Sequence, residues 1–495
     1  MTSLQADSGT FHGVLPWVLL LGYGLALVVL APAARDAAGF YEGRTRKGQA
    51  PSLGFLFGSL FIAWIFAKSV TNAADLGAQF GLQGAVAYAS YWLSIPIAGL
   101  VILALRKRFQ ARTLPSWLTM RYGRAAAATF MLAILIRLYN EIWSNTAVIG
   151  SYFGPKGSTP YYAAALAFTL LTLAYTLKGG LRSSIWTDAI QAAVFAVFLA
   201  LVLFFVVPRG AGSPPTGSGS GGGIVRLLGA GSWTLAGGVD LLLVGLLQSL
   251  SYPFHDPVLT DRAFLADAKT TRRAFFMAGG FGALSIVLFG LVGVSAFVSG
   301  TPVHDDAPRV VASAIGSGAL VLVNVVMLTS AGSTIDSAFS STSKAVSSDV
   351  PALLGRQPRM RLGRTAMVAI AVLGNIPLFF GAGILKATTI SGTMVLGLGP
   401  IFILGLFFDA PALSFHLAFW TGIAVGLLEL FGLVPQSLTI GSGKYATLLG
   451  VNVWGLAIAT TLYLVPLVAR AASRRFRASS GVAVADGRSL GGGEA

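Results

Sequence analysis

Long apolar runs, separated by short polar segments, recur along almost the whole chain. Most of them reach the roughly 20 residues that an α-helix needs to cross a bilayer. Each run predicts a membrane span, and the thirteen spans are 14–33, 52–78, 84–105, 125–152, 159–177, 183–207, 237–257, 274–299, 308–346, 363–381, 387–407, 411–433 and 446–470. The pattern therefore predicts an all-α polytopic membrane protein with about thirteen transmembrane helices.

Three of these predicted spans also carry polar side chains at helical spacing. The three sets are Lys68, Thr71, Asn72, Asp75 and Gln79; Arg137, Asn140, Glu141, Ser144 and Asn145; and Ser330, Ser333, Thr334, Ser337, Ser341 and Lys344. Each set falls on one face of its helix. An isolated Ser or Thr in a membrane helix usually only bridges neighbouring helices. Ionisable residues more often mark a pathway, so the stripes predict a shared hydrated centre.

Two spans contain sequences that predict a break in the helix. One is Thr71–Gly77 in the second span, and the other is Ser251–Pro257 in the seventh. Backbone that leaves the helix at membrane depth is tolerated only where it lines a cavity or is packed in protein. The second and seventh spans are the first helices of two successive sets of five. Because each set has an odd number of helices, the second set crosses the membrane in the opposite orientation to the first. Paired breaks in inverted repeats indicate a binding site near the midplane.

Positive charge predicts the orientation of the chain. Most of the 34 Lys and Arg residues fall in alternate connecting segments, which places the N-terminus outside and the C-terminus in the cytoplasm of a multi-pass cell-membrane protein. The net charge of +16 is mostly this signal, with some attraction to anionic lipid, so no nucleic-acid partner is implied. Nothing in the pattern indicates an obligatory protein partner.

The predicted spans divide the chain into six segments. These are an extra N-terminal helix (1–38), a first five-helix repeat (39–207), a flexible external loop (208–236), a second five-helix repeat (237–410), two C-terminal helices (411–470) and a disordered cytoplasmic tail (471–495). The loop is rich in Gly, Ser and Pro, which is typical of a flexible linker.

Short motifs along the chain resemble the sodium:solute symporter family. They are Gly179-Gly-Leu181 followed by Trp186-Thr-Asp-Ala-Ile-Gln191, Gly81-Leu-Gln-Gly84, Leu114-Pro-Ser-Trp-Leu118, Arg121-Tyr-Gly123, Asp256-Pro-Val-Leu-Thr-Asp-Arg262, Lys269-Thr-Thr-Arg-Arg-Ala274, Ser333-Thr-Ile-Asp-Ser337 and Gly397-Leu-Gly-Pro400. Each motif is weak alone, but together they follow the family's order over roughly residues 40 to 410. The resemblance implies a core of two inverted five-helix repeats, of the kind found in a bacterial leucine transporter.

The resemblance also implies a sodium site between the second and ninth spans. Matched to the family, its ligands would be the carbonyls of Thr71, Ala74 and Ser330 and the hydroxyls of Ser333 and Thr334. A small cage of oxygens suits a hard cation, although Ser and Thr also bond back to their own helix. Asp188 matches a carboxylate along the family's ion path, and its alternative role is to stabilise a helix start.

Lys68 departs from the family's pattern. Its ammonium group, one turn from Thr71, could replace the cation, release a proton in a coupling step, or pair with Asp75 or Glu141. The resemblance favours Na⁺ as the coupling ion, whereas Lys68 leaves proton coupling and uncoupled exchange open as alternatives.

The faces that the family uses for its solute carry seven candidate residues. They are Asn72, Asp75, Asn140, Glu141, Gln248, Tyr252 and His255. Ionisable groups of both signs favour a small zwitterionic or anionic solute, but Arg137 and Glu141 at i, i+4 also suit a simple ion pair. Sugars, amino acids, carboxylates and urea-like compounds all remain open as substrates.

Two other classes of protein are weighed against a transporter. A transporter-like membrane sensor would need a signalling domain, and only about 25 residues follow the last predicted span. A membrane enzyme would need convergent acid–base or metal-binding groups. The chain has no Cys and only four scattered His residues, so no enzyme activity and no cofactor other than a coupling ion is predicted.

Overall fold

The computed structural model describes residues 13–212, 222–380 and 390–479. Helices make up most of this part of the chain, and it contains no β-strand. The long or functionally important helices are α1 Val14–Leu30, α2 Leu53–Ala63, α3 Ala67–Phe80, α4 Leu82–Phe109, α5 Arg124–Ser151, α6 Thr159–Gly179, α7 Leu181–Phe205, α8 Val239–Gln248, α9 Ala268–Ser299, α10 Ser317–Lys344, α11 Met360–Leu373, α12 Leu398–Leu404, α13 Ala412–Leu430 and α14 Ala446–Ser479.

Shorter helical segments connect these elements. They are Ala37–Glu42, Leu114–Tyr122, Val207–Gly210, Gly222–Leu228, Leu235–Gly237, Tyr252–His255, Pro257–Thr260, Asp261–Phe264, Ala307–Ile315, Ala345–Asp349, Val350–Leu353, Ile376–Phe379 and Gln436–Leu438. Three of them, Val207–Gly210, Gly222–Leu228 and Leu235–Gly237, overlap the predicted flexible loop 208–236. Residues 213–221 of that loop lie outside the described residues, as does the predicted tail beyond Ser479, where α14 ends.

Nine helices in the described part of the chain are long and apolar enough to cross a membrane. The number rises to ten if α2 and α3, which are bent by 56° at a short break, form one span. α1 and α8 are apolar but shorter than these, and the start of the predicted span 387–407 lies outside the described residues. The prediction of an all-α polytopic membrane protein is confirmed at this level.

The first helix break lies at Trp64–Phe66, between α2 and α3. The prediction of a break at Thr71–Gly77 is wrong, because α3 continues through that segment. Gly77 allows close contact with the backbone of α9 at Gly290. The glycine and polar residues that suggested a break thus serve packing and side-chain contacts within an intact helix.

The second break follows α8 and falls where it is predicted. After Gln248 the chain passes through a single turn at Tyr252–His255 and resumes a short helix at Pro257. Pro253 and Pro257 lie at the starts of these two helical segments, where proline is well tolerated because the N–H that it lacks would have no helical partner. The indole of Trp64 donates a hydrogen bond of 3.0 Å to Oδ2 of Asp256, so the two breaks are in direct contact.

Glycines let α3 and α9 pack backbone against backbone. A side chain at Gly293 of α9 would meet the Ala74 carbonyl, and one at Gly290 would meet Ala85 of α4. Small residues of this kind are the usual means of close helix approach in membranes. This glycine seam, formed by Gly77 of α3 with Gly290 and Gly293 of α9, fixes the orientation of α3, the helix that follows the first break.

Gly293→Val is expected to lower the stability of the protein by about 1–3 kcal/mol, the usual effect of overpacking a tight interface. Gly280→Val on the same helix is the matched control, because a Cβ at Gly280 meets nothing within 4 Å. Thermal unfolding in detergent measures both variants. Equal melting temperatures for the two would contradict the tight seam.

Candidate functional site

Oxygen atoms from the first break and from α10 lie together in the buried centre. The hydroxyl of Thr334 lies 3.5 Å from the Ala63 carbonyl, at the end of α2, and 3.0 Å from the Ser330 carbonyl. The neighbouring Ser333 hydroxyl donates to Oδ1 of Asp188 at 2.5 Å. All five residues are buried. The cluster therefore combines carbonyl, hydroxyl and carboxylate oxygens, which are the ligands that hard cations prefer.

Two of the predicted carbonyl ligands lie elsewhere. Thr71 and Ala74 are inside α3, where helical hydrogen bonding uses their carbonyls. The Ala74 carbonyl also packs against Gly293 of α9. Their placement at the break is wrong for the same reason as the predicted break itself. Ala63 is the residue of the first break that reaches Thr334.

Besides Ser333 of α10, Asp188 is held by partners on two other elements. Its Oδ2 accepts hydrogen bonds from Ser59 of α2 at 2.5 Å and from Nη2 of Arg262 at 3.0 Å. Arg262 is itself fully buried and also donates to Ser337 of α10 at 2.7 Å. The candidate ion-path carboxylate is thus half of a buried ion pair. Sequence reasoning quoted Arg262 in a motif but assigned it no role, and it missed Ser59, which carries no motif.

A second buried carboxylate, Asp336, lies one turn along α10. It accepts hydrogen bonds from Ser184 at 2.7 Å, Tyr175 at 2.8 Å and Thr187 at 3.0 Å. Within the described residues no basic side chain lies within 4.0 Å of it. Asp336 belongs to the Ser333–Ser337 motif, but sequence reasoning gave it no part in the site.

Four charged side chains form a continuous network beside the two breaks. Lys68 contacts Glu141 with 2.5 Å between Nζ and Oε1, and Arg137 contacts the same carboxylate. Arg137 also pairs with Asp256 at 3.0 Å, and Asp256 accepts the indole N–H of Trp64. The network holds two positive and two negative charges, and all four side chains are buried. Buried charges are tolerated only when paired in this way.

Aromatic rings and a histidine surround this charged network. The Arg137 guanidinium lies 5.2 Å from the ring centre of Tyr252 and 5.5 Å from that of Phe66. Nδ1 of His255 lies 2.5 Å from the Tyr252 carbonyl oxygen, and its Nε2 has no hydrogen-bond partner. Three candidate solute residues, Glu141, Tyr252 and His255, are therefore grouped around Arg137.

The other candidate solute residues are separated from this group. Asn72 and Asp75 line a pocket of about 610 Å³ at one end of the bundle, together with Thr71, Leu76, Gln79, Ala147, Val148, Ser151, Gly154, Pro155, Lys156, Val303, His304, Asp305, Asp306, Arg309 and Lys444. Asp75 accepts a hydrogen bond of 2.6 Å from the Ala307 backbone, so it is not the partner of Lys68. Burial raises the pKa of the Asp306 carboxyl, although the guanidinium of Arg309 beside it acts in the opposite direction.

The two remaining candidates are Gln248 on α8 and Asn140 on α5. The Gln248 amide accepts from the Tyr91 hydroxyl at 2.8 Å and donates to Asn452 of α14 at 2.9 Å. Asn140 is half-buried on α5. The structure thus places three of the seven candidates in the charged centre and two on the pocket face, while Gln248 bonds to other side chains and Asn140 is half-buried on α5.

Comparisons with known proteins bear on this arrangement. Residues 52–214 match the model of the sodium:solute symporter family. The predicted resemblance to that family is confirmed. The matched region runs from α2 to the end of α7, and so includes the first break and Asp188, but it ends before the second break and α10.

Individual relatives match over shorter lengths. The chain is 24% identical over 156 residues to mouse solute carrier family 5 member 4A, which covers 30% of the chain and 23% of the mouse protein. It is 24% identical over 163 residues to the rice urea–proton symporter DUR3, covering 32% and 22%. Mouse sodium/myo-inositol cotransporter 2 matches at 24% identity over 141 residues, covering 28% and 21%. The chain therefore aligns with less than a quarter of each relative.

Solved structures match over nearly the whole chain. A Na⁺-coupled sialic acid symporter in its substrate-bound outward-open state superposes with a TM-score of 0.69 at 16% identity, covering 92% of this chain and 98% of that one. Mhp1, a nucleobase-cation-symport-1 family transporter in a closed conformation, gives a TM-score of 0.56 at 15% identity, covering 88% and 96%. At such low identity, these likenesses establish a shared fold.

Proposed function

We propose that the protein is a secondary active transporter that carries a small polar organic solute across the cell membrane together with a cation. The observation that carries this proposal is the contact between the two helix breaks, Trp64 to Asp256, beside the oxygen cluster of Ala63, Ser333 and Thr334. Broken helices that meet inside a bundle provide backbone oxygens and polar side chains at membrane depth. The family match and the fold shared with symporters support the same activity. No catalytic step is part of the proposal.

The proposed architecture has about thirteen spans around two inverted five-helix repeats. The first repeat would run from α2 to α7, and the second from α8 to α12, with α1, α13 and α14 as additional helices. The breaks after α2 and α8 support this division, because each opens one repeat. The segment boundaries 1–38, 39–207, 208–236, 237–410, 411–470 and 471–495 remain part of the proposal.

Na⁺ is the proposed coupling ion. Its ligands would be the carbonyls of Ala63 and Ser330 and the hydroxyls of Ser333 and Thr334, with Asp188 beside them. Thr71 and Ala74 leave the ligand set, since their carbonyls lie within α3. The cluster is buried and composed of oxygen atoms, as a small monovalent cation requires.

Proton coupling is the second candidate, and the buried Lys68–Glu141 pair is the observation that favours it. A lysine in such a position can exchange a proton when its carboxylate partner moves. The rice relative is named as a urea–proton symporter. Sodium coupling predicts that a sodium gradient drives uptake, and proton coupling predicts that a proton gradient does. Uncoupled exchange would need neither gradient.

The solute is proposed to enter through the pocket lined by Asn72 and Asp75 and to reach Glu141, Tyr252 and His255 around Arg137. The excess of positive residues in alternate connecting segments supports an orientation with this pocket and the N-terminus outside and the C-terminus in the cytoplasm. Asn140 and Gln248 remain candidates for contact with the solute. The charged centre holds equal numbers of positive and negative groups, which fits a neutral or zwitterionic solute better than a strongly charged one.

Uptake into proteoliposomes tests this function. The purified protein is supplied with radiolabelled sugars, inositol, sialic acid, urea, nucleobases, amino acids and carboxylates, under an inward sodium gradient or an inward proton gradient. We expect accumulation of one class under a sodium gradient and none in liposomes without protein. Exchange without accumulation would indicate a facilitator. If no compound of any class moves, the transporter proposal is wrong.

A further inference from the structure

We infer that Arg262 is a positioning residue for the cation site, acting through Asp188 on the hydroxyl of Ser333. This inference rests on the proposed function, because it concerns the cation site that the function requires. Within the described residues, Arg262 donates no hydrogen bond to the four proposed ligands of the cation, but it does donate one to Asp188, which lies beside them. Its effect on the ion must therefore pass through that carboxylate.

The first step of the argument is the hydrogen bond between Ser333 and Asp188. A serine hydroxyl has one proton and two lone pairs. The Ser333 proton is directed to Oδ1 of Asp188 at 2.5 Å, so its lone pairs are free to face a cation. If Asp188 moved, the hydroxyl could rotate and bond back to its own helix, as Ser and Thr commonly do. Asp188 therefore sets the direction in which Ser333 presents its oxygen.

The second step is the position of Asp188 itself. Its Oδ2 is held by the Ser59 hydroxyl at 2.5 Å and by the Arg262 guanidinium at 3.0 Å, and all three side chains are fully buried. A buried carboxylate needs a positive partner to remain charged in one place. Among the described residues, Arg262 is the basic side chain within ion-pair distance of Asp188.

The third step is the attachment of Arg262 to four segments of the fold. The side chain starts from the turn Asp261–Phe264, just after the second break, and donates to the Val258 carbonyl of the same region. Its Nε donates to Ser59 of α2 at 2.7 Å, and its Nη2 donates to Ser337 of α10 at 2.7 Å. Asp188 adds α7. Any displacement of the segment after the second break therefore alters the contacts that orient Ser333.

The functional consequence is a link between cation binding and the position of the second broken span. When the cation is bound, Ser333 must face it, which requires Asp188 and Arg262 in the observed arrangement. When residues 257–264 move away, Arg262 is drawn from Asp188, and the cation site loses one of its ligands. A planar guanidinium is suited to this role because its fixed fork bonds several partners at once.

Arg262→Gln and Arg262→Lys test the inference. Arg262→Gln removes the charge, whereas Arg262→Lys keeps the charge but cannot hold Ser59, Asp188 and Ser337 together. We expect the sodium concentration for half-maximal uptake to rise at least about tenfold in Arg262→Gln and by less in Arg262→Lys. A tenfold rise corresponds to a loss of about 1.4 kcal/mol of sodium-binding free energy. The half-saturating solute concentration at saturating sodium should change little.

Arg106→Gln is the matched control. Arg106 supports the same segment, since it donates to the carbonyls of Ala263 at 2.6 Å and Ala266 at 2.8 Å, but none of its hydrogen bonds reaches Asp188. We expect this variant to lower stability without changing the sodium requirement. Sodium-dependent thermal stabilisation of the purified protein, measured without solute, gives a readout that is independent of transport.

A double variant that combines Asp188→Asn and Arg262→Gln tests the inference even if Arg262→Gln alone fails to fold. The double variant leaves no unpaired charge at this position, and we expect it to fold and to show the same weakened sodium stabilisation as Asp188→Asn alone. A wild-type sodium requirement in folded Arg262→Gln, or in the double variant, would overturn the inference and leave the proposed function intact. If the wild-type protein neither requires nor binds sodium, the sodium proposal and this inference are both wrong.

Discussion

Replacing Ser333 and Thr334 together with alanine is expected to weaken the sodium dependence of uptake strongly. The Thr334 hydroxyl lies beside the Ala63 and Ser330 carbonyls, and the Ser333 hydroxyl lies beside Asp188. Removing both hydroxyls would take away two of the four or five oxygens available to a cation. Loss of two ligands from a small cage should raise the half-saturating sodium concentration by about a hundredfold or more, which corresponds to about 1.4 kcal/mol per ligand. Uptake across a range of external sodium concentrations measures the change.

Ser341→Ala is a suitable control, because Ser341 lies on the same helix and is buried without being near Ala63. Exchange of labelled for unlabelled solute shows whether the double variant still binds and moves its substrate. Unchanged sodium activation in the double variant would show that these hydroxyls are not cation ligands. It would favour their alternative role, which is hydrogen bonding to backbone carbonyls of their own helix, α10.

Lys68→Ala is expected to abolish any uptake driven by a proton gradient and to strengthen the dependence on sodium by about tenfold. Lys68 contributes one of the two positive charges of the central network, and its loss leaves Arg137 against both Glu141 and Asp256. The centre would then carry a net negative charge that attracts a mobile cation. Breaking a buried pair of this kind also destabilises a protein by about 3–5 kcal/mol, so folding must be monitored.

Lys68→Ala with Glu141→Gln is the control for this charge effect, because it restores the balance between Arg137 and Asp256. Uptake is compared in proteoliposomes under a sodium gradient and, separately, under a pH gradient. If wild type and Lys68→Ala respond identically to both gradients, Lys68 only holds Glu141 in place, and sodium symport remains the simplest mechanism.

The sequence predicts the class of fold well because the bilayer imposes a simple rule on helix length and polarity. It also predicts the second break, where Pro253 and Pro257 restrict the backbone directly. The first break was misplaced because nothing in Trp64-Ile-Phe66 resembles a helix stop, while Gly77, which does, serves helix packing. A break that is maintained by tertiary contacts, here the bond from Trp64 to Asp256, leaves little trace in the local sequence.

The candidate site shows the same limit. Ser333, Thr334 and Asp188 could be named because they stand in motifs, and the structure brings Ser333 and Asp188 into contact. Ala63 and Ser59 could not be named, because a backbone carbonyl has no sequence signal and one serine in an apolar run is not distinctive. For Lys68 the sequence is only partly informative. Helical spacing gives the face on which Lys68 lies but does not distinguish Asp75 from Glu141 as its partner, and the structure shows that the partner is Glu141.

The glycine seam between α3 and α9 bears on the route through the protein. At Gly77, Gly290 and Gly293 the two backbones leave no gap for a side chain, and hence none for water or a solute. The flank of α3 that faces α9 is therefore sealed. Under the proposed transport function, a permeating molecule would follow the opposite flank, where Asn72 and Asp75 line the pocket and Lys68 reaches Glu141. One side of a single helix would thus act as a barrier to water, while its other side would line the proposed route.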